Sequence, residues 1–385
     1  MLSREKDNPY VNFFAEVFSN INETLFESKV RKGEVVTTIE PIVQSYLEKI
    51  LKEVKEKHSA KSVGGIIMNP KDGSIYAMSA LPAFDPNNFS SASSNQIFTN
   101  PLVENVLEFG SVVKPLVMSA GLDTGVITAN TKYDDRGSVI VEKKEIFNFD
   151  KKGRGVVTMQ EVLSQSLNTG MVFVSKKLGK ENMREYLLSF GIKDKTGIDL
   201  PNETSGLTTN LNSPREIEYA NASFGQGIAL TPIEMIRALS ALANKGQLVT
   251  PHLVDKIKYD GGFEEKKIYS VGQSKISIQT AEEITRMLVN VMDKTLRGGS
   301  IKIDRHSVAV KTGTAQVADI ENGGYYENKH THSFFGYFPA YDPQFIILVY
   351  ATDPKGSRYA SETWSYPFLN LTKFLISYYE IPPDR

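Results

Sequence analysis

The sequence predicts an α/β fold of the α+β kind, a central antiparallel sheet flanked by helices. Short apolar runs of strand length stand near both ends of the chain, helical patterns fill its middle, and 385 residues suffice for one large domain or two modest ones. Strands far apart in sequence with helices between them gather most simply into one sheet with helices packed on it. Hydrophobic residues make up 41 % and charged residues 23 %, an ordinary globular balance. A net charge of −1, with both signs spread along the chain, argues against a nucleic-acid partner, which needs a basic face. The absence of cysteine excludes disulfides, thiol catalysis and thiolate zinc.

Residues 1–35 are polar and weakly periodic, and read as a lead-in segment or the remnant of a missing N-terminal region; residues 36–385 read as one domain. Pro41, Ile42, Tyr46, Leu47, Ile50, Leu51 and Val54 form an apolar stripe at helical spacing, with Thr37 or Thr38 as cap and Pro41 in the first turn. Val63 to Met68 and Ser74 to Met78 flank Asn69-Pro70-Lys71-Asp72-Gly73, a hairpin signal. Residues 82–100, rich in Asn, Ser and Pro, read as loop. Helical patterns run from about Val106 to Ala243 between Gly-rich and charged loops, clearest over Thr158 to Leu178 and Thr231 to Lys245. In the second, Thr231 caps, Pro232 takes the first position and Gly246 ends the helix. Strand patterns return at His306 to Val317, Ser333 to Phe338 and Gln344 to Thr352, and a helix over about Ser365 to Tyr378 closes the chain. No stretch approaches the ~18 consecutive apolar residues of a membrane-spanning helix, and the N-terminal MLSREKDNPY is unlike a signal peptide.

Three short motifs carry chemistry. Serine is a poor nucleophile until a base takes its proton, and a lysine one helical turn on faces the same side; Ser111-Val112-Val113-Lys114 supplies that pair. Phe109-Gly110 reads as a turn and Pro115 as a helix start, so backbone N–H groups stand near Ser111 to hold an oxyanion. Ser166-Leu167-Asn168 offers a hydroxyl to relay a proton and a carboxamide to hold a substrate amide. Lys311-Thr312-Gly313-Thr314 lies in an alternating run that puts Thr312 and Thr314 on one face, where two hydroxyls grip a carboxylate, while Gly313 leaves room for a ligand backbone. The Thr314 N–H is placed to complete an oxyanion hole with that of Ser111.

Each motif has an ordinary alternative: a Gly-Ser cap with a solvated lysine, a helix polar pair, a polar-faced strand. Each also has a decoy, in Ser3-Arg4-Glu5-Lys6, Ser93-Ser94-Asn95 and Lys195-Thr196-Gly197, none on an element that suits the chemistry. All three in order, each on its required element, is the uncommon observation, and this trio is that of penicillin-binding proteins and class A β-lactamases.

The chain resembles the transpeptidase domain of class B (monofunctional) penicillin-binding proteins over about residues 36–380. Besides Phe109 to Pro115, Lys195-Thr196-Gly197-Ile198-Asp199-Leu200-Pro201 is similar to a non-catalytic family segment. So is Phe224-Gly225-Gln226-Gly227 followed by Leu230-Thr231-Pro232, and Lys311-Thr312-Gly313-Thr314-Ala315 looks like the family's third motif. The resemblance implies the D,D-peptidase/β-lactamase-like fold and a D,D-transpeptidase acting on peptidoglycan stem peptides that end in D-Ala-D-Ala. It implies Ser111 as nucleophile, Lys114 as its base, Ser166 as proton relay, Asn168 on the substrate amide, Thr312 and Thr314 on the terminal carboxylate, and Lys311 adding charge and fixing Ser166. It also implies acylation by β-lactams, an amine acceptor from a second stem, no metal or organic cofactor, partners in a division or elongation complex, and a place on the extracytoplasmic face of the membrane, with the anchor outside this chain.

Competing readings are a β-lactamase or β-lactam sensor on the same fold, for which no matching glutamate motif stands out, and a catalytically silent scaffold, against which all the motif side chains are present. A Ser-His-Asp hydrolase lacks its G-x-S-x-G elbow, and the histidines lie far from any such motif. His330-Thr331-His332 reads as a solvated loop rather than a pair of metal ligands, and His306 as structural. Trp364 is a candidate groove residue, and Tyr378 and Tyr379 read as core or rim.

Overall fold

The computed structural model describes residues 33–85, 98–319 and 322–385. Five strands form the central sheet: β1 (Ser62–Met68), β2 (Ile75–Leu81), β3 (Ala309–Ala318), β4 (Tyr325–Phe338) and β5 (Phe345–Thr352). Their spatial order is β3-β4-β5-β1-β2, every neighbour antiparallel. The two ends of the chain meet where β5 pairs with β1, Ile346 opposite Met68 and Thr352 opposite Ser62. β1 and β2 are the expected hairpin. Its turn is built by short side chains: the Lys71 N–H donates to Asn69 Oδ1 at 2.9 Å and the Ser74 N–H to Asp72 Oδ1 at 2.8 Å.

Helices cover both faces. Alternation sends Phe334 and Phe335 of β4 to opposite sides. Phe334 stacks on Phe368 at 4.3 Å in α7 (Ala360–Tyr378), and Phe374 of the same helix stacks on Tyr46 at 4.0 Å in α1 (Pro41–Lys57). On the other side, the hydroxyls of Tyr337 and Thr285 lie 2.8 Å apart, tying β4 to α6 (Ile278–Asn290). Burying each such aromatic removes about 150–250 Å² from water, several kcal/mol per ring at ~25 cal/mol per Å². Of its predicted stripe α1 buries Leu47, Ile50, Leu51 and Val54, while Ile42 is 53 % exposed and Val43, outside the stripe, is buried in its place. Its cap is Glu40, which accepts from the Ile42 N–H, in place of Thr37 or Thr38; the Thr38 hydroxyl donates to the Ile75 carbonyl at 2.7 Å.

Several expectations need correction. The single helix over Thr158 to Leu178 is two, α3 (Met159–Ser164) and α4 (Asn168–Leu178). Thr158 and Glu161 form a reciprocal capping box at the start of α3, and the break falls at Ser166, in the left-handed region at φ 58°. Where loops were expected before α3, two small antiparallel pairs form, Lys132–Asp135 with Gly155–Thr158 and Ser138–Val141 with Lys144–Phe147. The strand Gly33–Thr37 pairs with Val254–Tyr259 across the boundary drawn at 35/36, while residues 1–32 lie outside the described residues. α5 (Pro232–Ala243) is as expected, with Thr231 capping, a reciprocal Glu234 and Gly246 just beyond. Among the described residues no helix is long and apolar enough to cross a membrane. The decoys Ser3-Arg4-Glu5-Lys6 and Ser93-Ser94-Asn95, with most of the loop at 82–100, also fall outside the described residues.

Candidate active site

The segment that carries Ser111 is a turn pressed against an edge strand. Gly110–Val112 form a single 3₁₀ turn leading into α2 (Lys114–Asp123), with Pro115 in the first turn. Ser333 Oγ of β4 donates to the Phe109 carbonyl at 2.8 Å, and the Gly110 N–H donates to the Gly225 carbonyl at 3.2 Å. Gly110 needs its positive φ of 59°, and a Cβ on Gly225 would come within 2.1 Å of the Gly110 carbonyl oxygen. These contacts account for the Phe224-Gly225-Gln226-Gly227 segment as the seat of the turn.

β3 is the edge of the sheet, and its alternation turns Thr312, Thr314 and Gln316 toward a cleft of about 830 Å³ that Ser111, Ser166, Asn168 and Lys311 also line. The Thr314 carbonyl oxygen lies only 2.9 Å from where a Gly110 Cβ would stand. In an extended strand the N–H and C=O of one residue share a side, so the Thr314 N–H also faces the turn that carries Ser111. Thr314 Oγ1 accepts the Ala360 N–H at 3.0 Å, the first amide of α7, and keeps its own proton to donate. Gly313 serves a purpose other than the expected one. Its missing side chain would point away from the cleft, 2.2 Å from the Phe109 carbonyl oxygen and 2.4 Å from Ser333 Oγ. The glycine makes room for the Ser111 turn, not for a ligand backbone on that face.

Two lysines lie beneath the cleft. Lys114 is fully buried and its Nζ donates to the Ser166 carbonyl at 2.6 Å, Asn168 Oδ1 at 2.8 Å and Ser166 Oγ at 3.2 Å. Three acceptors saturate an ammonium, and Ser111 Oγ is not among them. Lys311, 2 % exposed, brings its Nζ round the strand edge to Thr312 O at 3.1 Å and to Ser166 Oγ at 2.9 Å. Burial first, and then the like charge of Lys311, hold the Lys114 pKa well below the usual lysine range. Burial brings Lys311 down to about 7. The left-handed backbone at Ser166 is what presents both its carbonyl and its hydroxyl to the amines, at a local cost of about 1 kcal/mol or more.

The arrangement holds a serine hydroxyl at a turn faced by the Thr314 N–H, a buried amine inclined to neutrality, a hydroxyl between two amines and two threonine hydroxyls on a cleft wall. Those are the parts of acyl transfer through a serine ester. The family model for the penicillin-binding protein transpeptidase domain matches residues 63–370.

The chain belongs to the penicillin-binding protein transpeptidase family.

Stage V sporulation protein D of Bacillus subtilis (strain 168) is 32 % identical over 332 residues, covering 83 % of this chain and 50 % of the relative. The probable peptidoglycan D,D-transpeptidase PenA of Neisseria gonorrhoeae is 28 % identical over 331 residues, covering 85 % of this chain and 53 % of its own. The chain thus spans about half the length of these curated relatives. Penicillin-binding protein 3 of Mycobacterium tuberculosis, solved in complex with aztreonam, shares the fold at a TM-score of 0.85 and 24 % identity, covering 94 % of this chain and 82 % of that one.

In this transpeptidase domain the remaining expectations divide. The decoy Lys195-Thr196-Gly197 is a turn: the Thr196 hydroxyl and N–H both donate to Glu203 Oε1 at 2.6 Å, and the Gly197 N–H donates to Oε2 at 3.1 Å. Asp199, in the same segment, accepts the Leu253 and Val254 amides at 2.8 and 2.7 Å. His330 and His332 are not loop but β4, and His332 is wholly buried, its Nδ1 2.8 Å from Thr363 Oγ1. Trp364 is core rather than groove, donating to the His332 carbonyl at 3.1 Å. His306 Nε2 lies 3.0 Å from the Ile381 carbonyl, a structural contact, and Tyr378 and Tyr379 stand at the rim. Sequence reasoning missed Arg154, Arg297, Arg358 and Tyr359, which also line the cleft, because no spacing marks loop residues that only the fold brings there.

Proposed function

We propose that this chain is the D,D-transpeptidase unit of a class B penicillin-binding protein, cross-linking peptidoglycan stem peptides through an acyl-enzyme on Ser111. The observation that carries the reading is the meeting of Lys114, Lys311 and Ser166 Oγ within 3.2 Å under the cleft that Ser111 lines. Neutral Lys114 takes the proton of Ser111, whose Oγ attacks the carbonyl of the penultimate D-Ala; to do so Lys114 must release one of its three acceptors and turn its lone pair to the serine. The developing oxyanion sits between the Ser111 and Thr314 N–H groups. The tetrahedral adduct collapses, the C–N bond breaks, and Ser166 passes the proton from Lys114 to the departing D-Ala amine. The amine of a second stem then attacks the ester, gives up its proton along the same route, and leaves Ser111 free with a new peptide bond.

Asn168 holds the substrate amide, and Thr312, Thr314 and Lys311 hold the terminal carboxylate. A β-lactam imitates the dipeptide end and acylates the same serine. The domain works on the extracytoplasmic face of the membrane, within a division or elongation complex, in keeping with relatives named for sporulation and for peptidoglycan transpeptidation.

The test is incubation with a fluorescent penicillin, peptide mapping by mass spectrometry, and Ser111→Ala alongside. Stable label on the Ser111 peptide, absent from the variant, supports the proposal. Label lost within seconds points to the hydrolytic reading, and a folded chain that never takes label points to a silent scaffold.

A further inference from the structure

Asp135 is 2 % exposed and is a hub. Its Oδ1 accepts from the Gly137 N–H at 3.0 Å, Asn148 Nδ2 and Thr169 Oγ1 at 2.9 Å, and the Tyr133 hydroxyl at 3.2 Å; its Oδ2 accepts from Asn148 Nδ2 at 3.0 Å and the Arg154 N–H at 3.1 Å. A buried carboxylate with this many donors is held rigidly, and so is whatever donates to it.

What it holds is the broken helix. Asn148 Oδ1 accepts the Thr169 N–H at 3.3 Å and faces the Thr169 hydroxyl at 2.9 Å. The neighbouring Phe147 carbonyl accepts Asn168 Nδ2 at 3.0 Å, leaving Asn168 Oδ1 turned to Lys114. On the far side of the break, Arg154 Nε donates to Gln165 Oε1 at 3.2 Å. Segment 147–154 therefore grips residues 165, 168 and 169 on both sides of Ser166, the residue in left-handed conformation. An amide free to rotate would offer Lys114 its N–H₂ as readily as its oxygen; the Phe147 carbonyl forbids that.

We propose that Asp135, Asn148 and Thr169 are positioning residues for acyl transfer, fixing the Asn168 amide and the Ser166 backbone against Lys114. The inference rests on the transpeptidase reading above and deepens it.

The experiment measures the acylation rate constant of the fraction of protein that labels with fluorescent penicillin, together with the melting temperature, in the wild type, Asn148→Ala, Thr169→Val and Thr169→Ser. We expect a fall of at least about tenfold in the rate constant for Asn148→Ala and Thr169→Val, and recovery to within about threefold in Thr169→Ser, which keeps the donor. A merely structural role would lower the melting temperature or the labelled fraction and leave the rate constant of that fraction unmoved. Rate constants within about twofold of wild type in both Asn148→Ala and Thr169→Val overturn the proposal, as does a Thr169→Ser as slow as Thr169→Val. Should Asn148→Ala fail to fold, the two Thr169 variants decide it. A wild-type chain that takes no label would overturn the transpeptidase reading and this inference with it, whereas a labelled wild type with unaffected variants removes this inference alone.

Discussion

Lys114 and Lys311 donate to the same atom, Ser166 Oγ, at 3.2 and 2.9 Å. A hydroxyl oxygen has two acceptor sites and one proton. With both acceptor sites filled by amines, the Ser166 proton is the one group of the trio free to reach toward the cleft. The pairing puts the Lys311 charge against Lys114, which adds to burial in disfavouring the Lys114 cation, and it sets a serine between the two amines.

Replacing Ser166 separates chemistry from strain. Ser166→Ala and Ser166→Gly both remove the shared acceptor, and each should slow acylation by fluorescent penicillin by roughly 10²–10⁴-fold, the usual worth of a proton-transfer group. Their stabilities should differ. At φ 58° glycine avoids the cost of a Cβ, so urea unfolding should find Ser166→Gly more stable than Ser166→Ala by about 1 kcal/mol. Equal stabilities would remove strain from the account of this residue.

Acylation should depend on pH through the two amines. As the proposed base Lys114 would act only when neutral, and its lowered pKa should make the rate climb with pH through a midpoint well below the ordinary lysine value of 10.5. In its proposed role Lys311 would attract the substrate carboxylate only when charged, so the rate should decline above about 7. Two amines on one acceptor lose their protons in two macroscopic steps, and the profile is a bell belonging to the pair. A rate that is flat from about pH 6 to about pH 9 would contradict this.

The same shifts set a stability trend. Both folded-state pKa values lie below the unfolded one, so the unfolded chain binds more protons between about 7 and 10.5, and stability from these groups rises with pH across that window. Lys311→Met should therefore be more stable than wild type at about pH 7, by a margin that shrinks toward about pH 10, while acylating poorly. Thermal unfolding at three pH values checks the sign; a margin that widens with pH would refute it.

Gly313→Ala should be damaging although the residue faces away from the cleft. The new Cβ meets the Phe109 carbonyl oxygen and Ser333 Oγ at 2.2 and 2.4 Å. Relieving that overlap displaces the nucleophile turn from the edge strand, costing about 1–3 kcal/mol and most of the acylation rate. Melting temperature and labelling measured together test it, and normal labelling would show that the turn tolerates the shift.

The two Lys-Thr-Gly copies should separate cleanly. Lys195 is exposed and bonded to nothing in the cleft, so Lys195→Ala should leave acylation within about twofold of wild type. Thr196→Ala removes one of the hydrogen bonds to the buried Glu203 carboxylate and should cost about 1–3 kcal/mol of stability without changing the acylation rate of the folded protein. Slow acylation of Lys195→Ala would place the Lys195 copy in the reaction instead.

Much of the candidate site was legible in the sequence, since reactive side chains announce themselves by type and short spacing. Ser111 with Lys114 and the alternating Thr312 and Thr314 depend on a local period that a helix or strand must obey, and Ser166 with Asn168 on closeness in the chain. The same local logic failed where a tertiary contact overruled it. An unbroken helix through Ser166 is the periodic expectation, and the buried anchors at Asp135 and Asn148 pull it apart. His332 reads as part of a solvated loop and Trp364 as a groove residue, yet His332 is covered by Thr363 and Trp364 of α7, and Trp364 is buried against it.

The sequence by itself singled out the candidate reactive side chains and the strand that carries Lys311, Thr312 and Thr314, because side-chain chemistry and backbone periodicity are properties of neighbours in the chain. Tertiary structure alone decided that Lys114 meets Ser166 across 52 residues and Lys311 meets it across 145. It also decided that neither lysine keeps its ordinary affinity for a proton. Both outcomes come from removing two amines from water and setting them against one oxygen, and desolvation and proximity exist only once the chain has closed on itself.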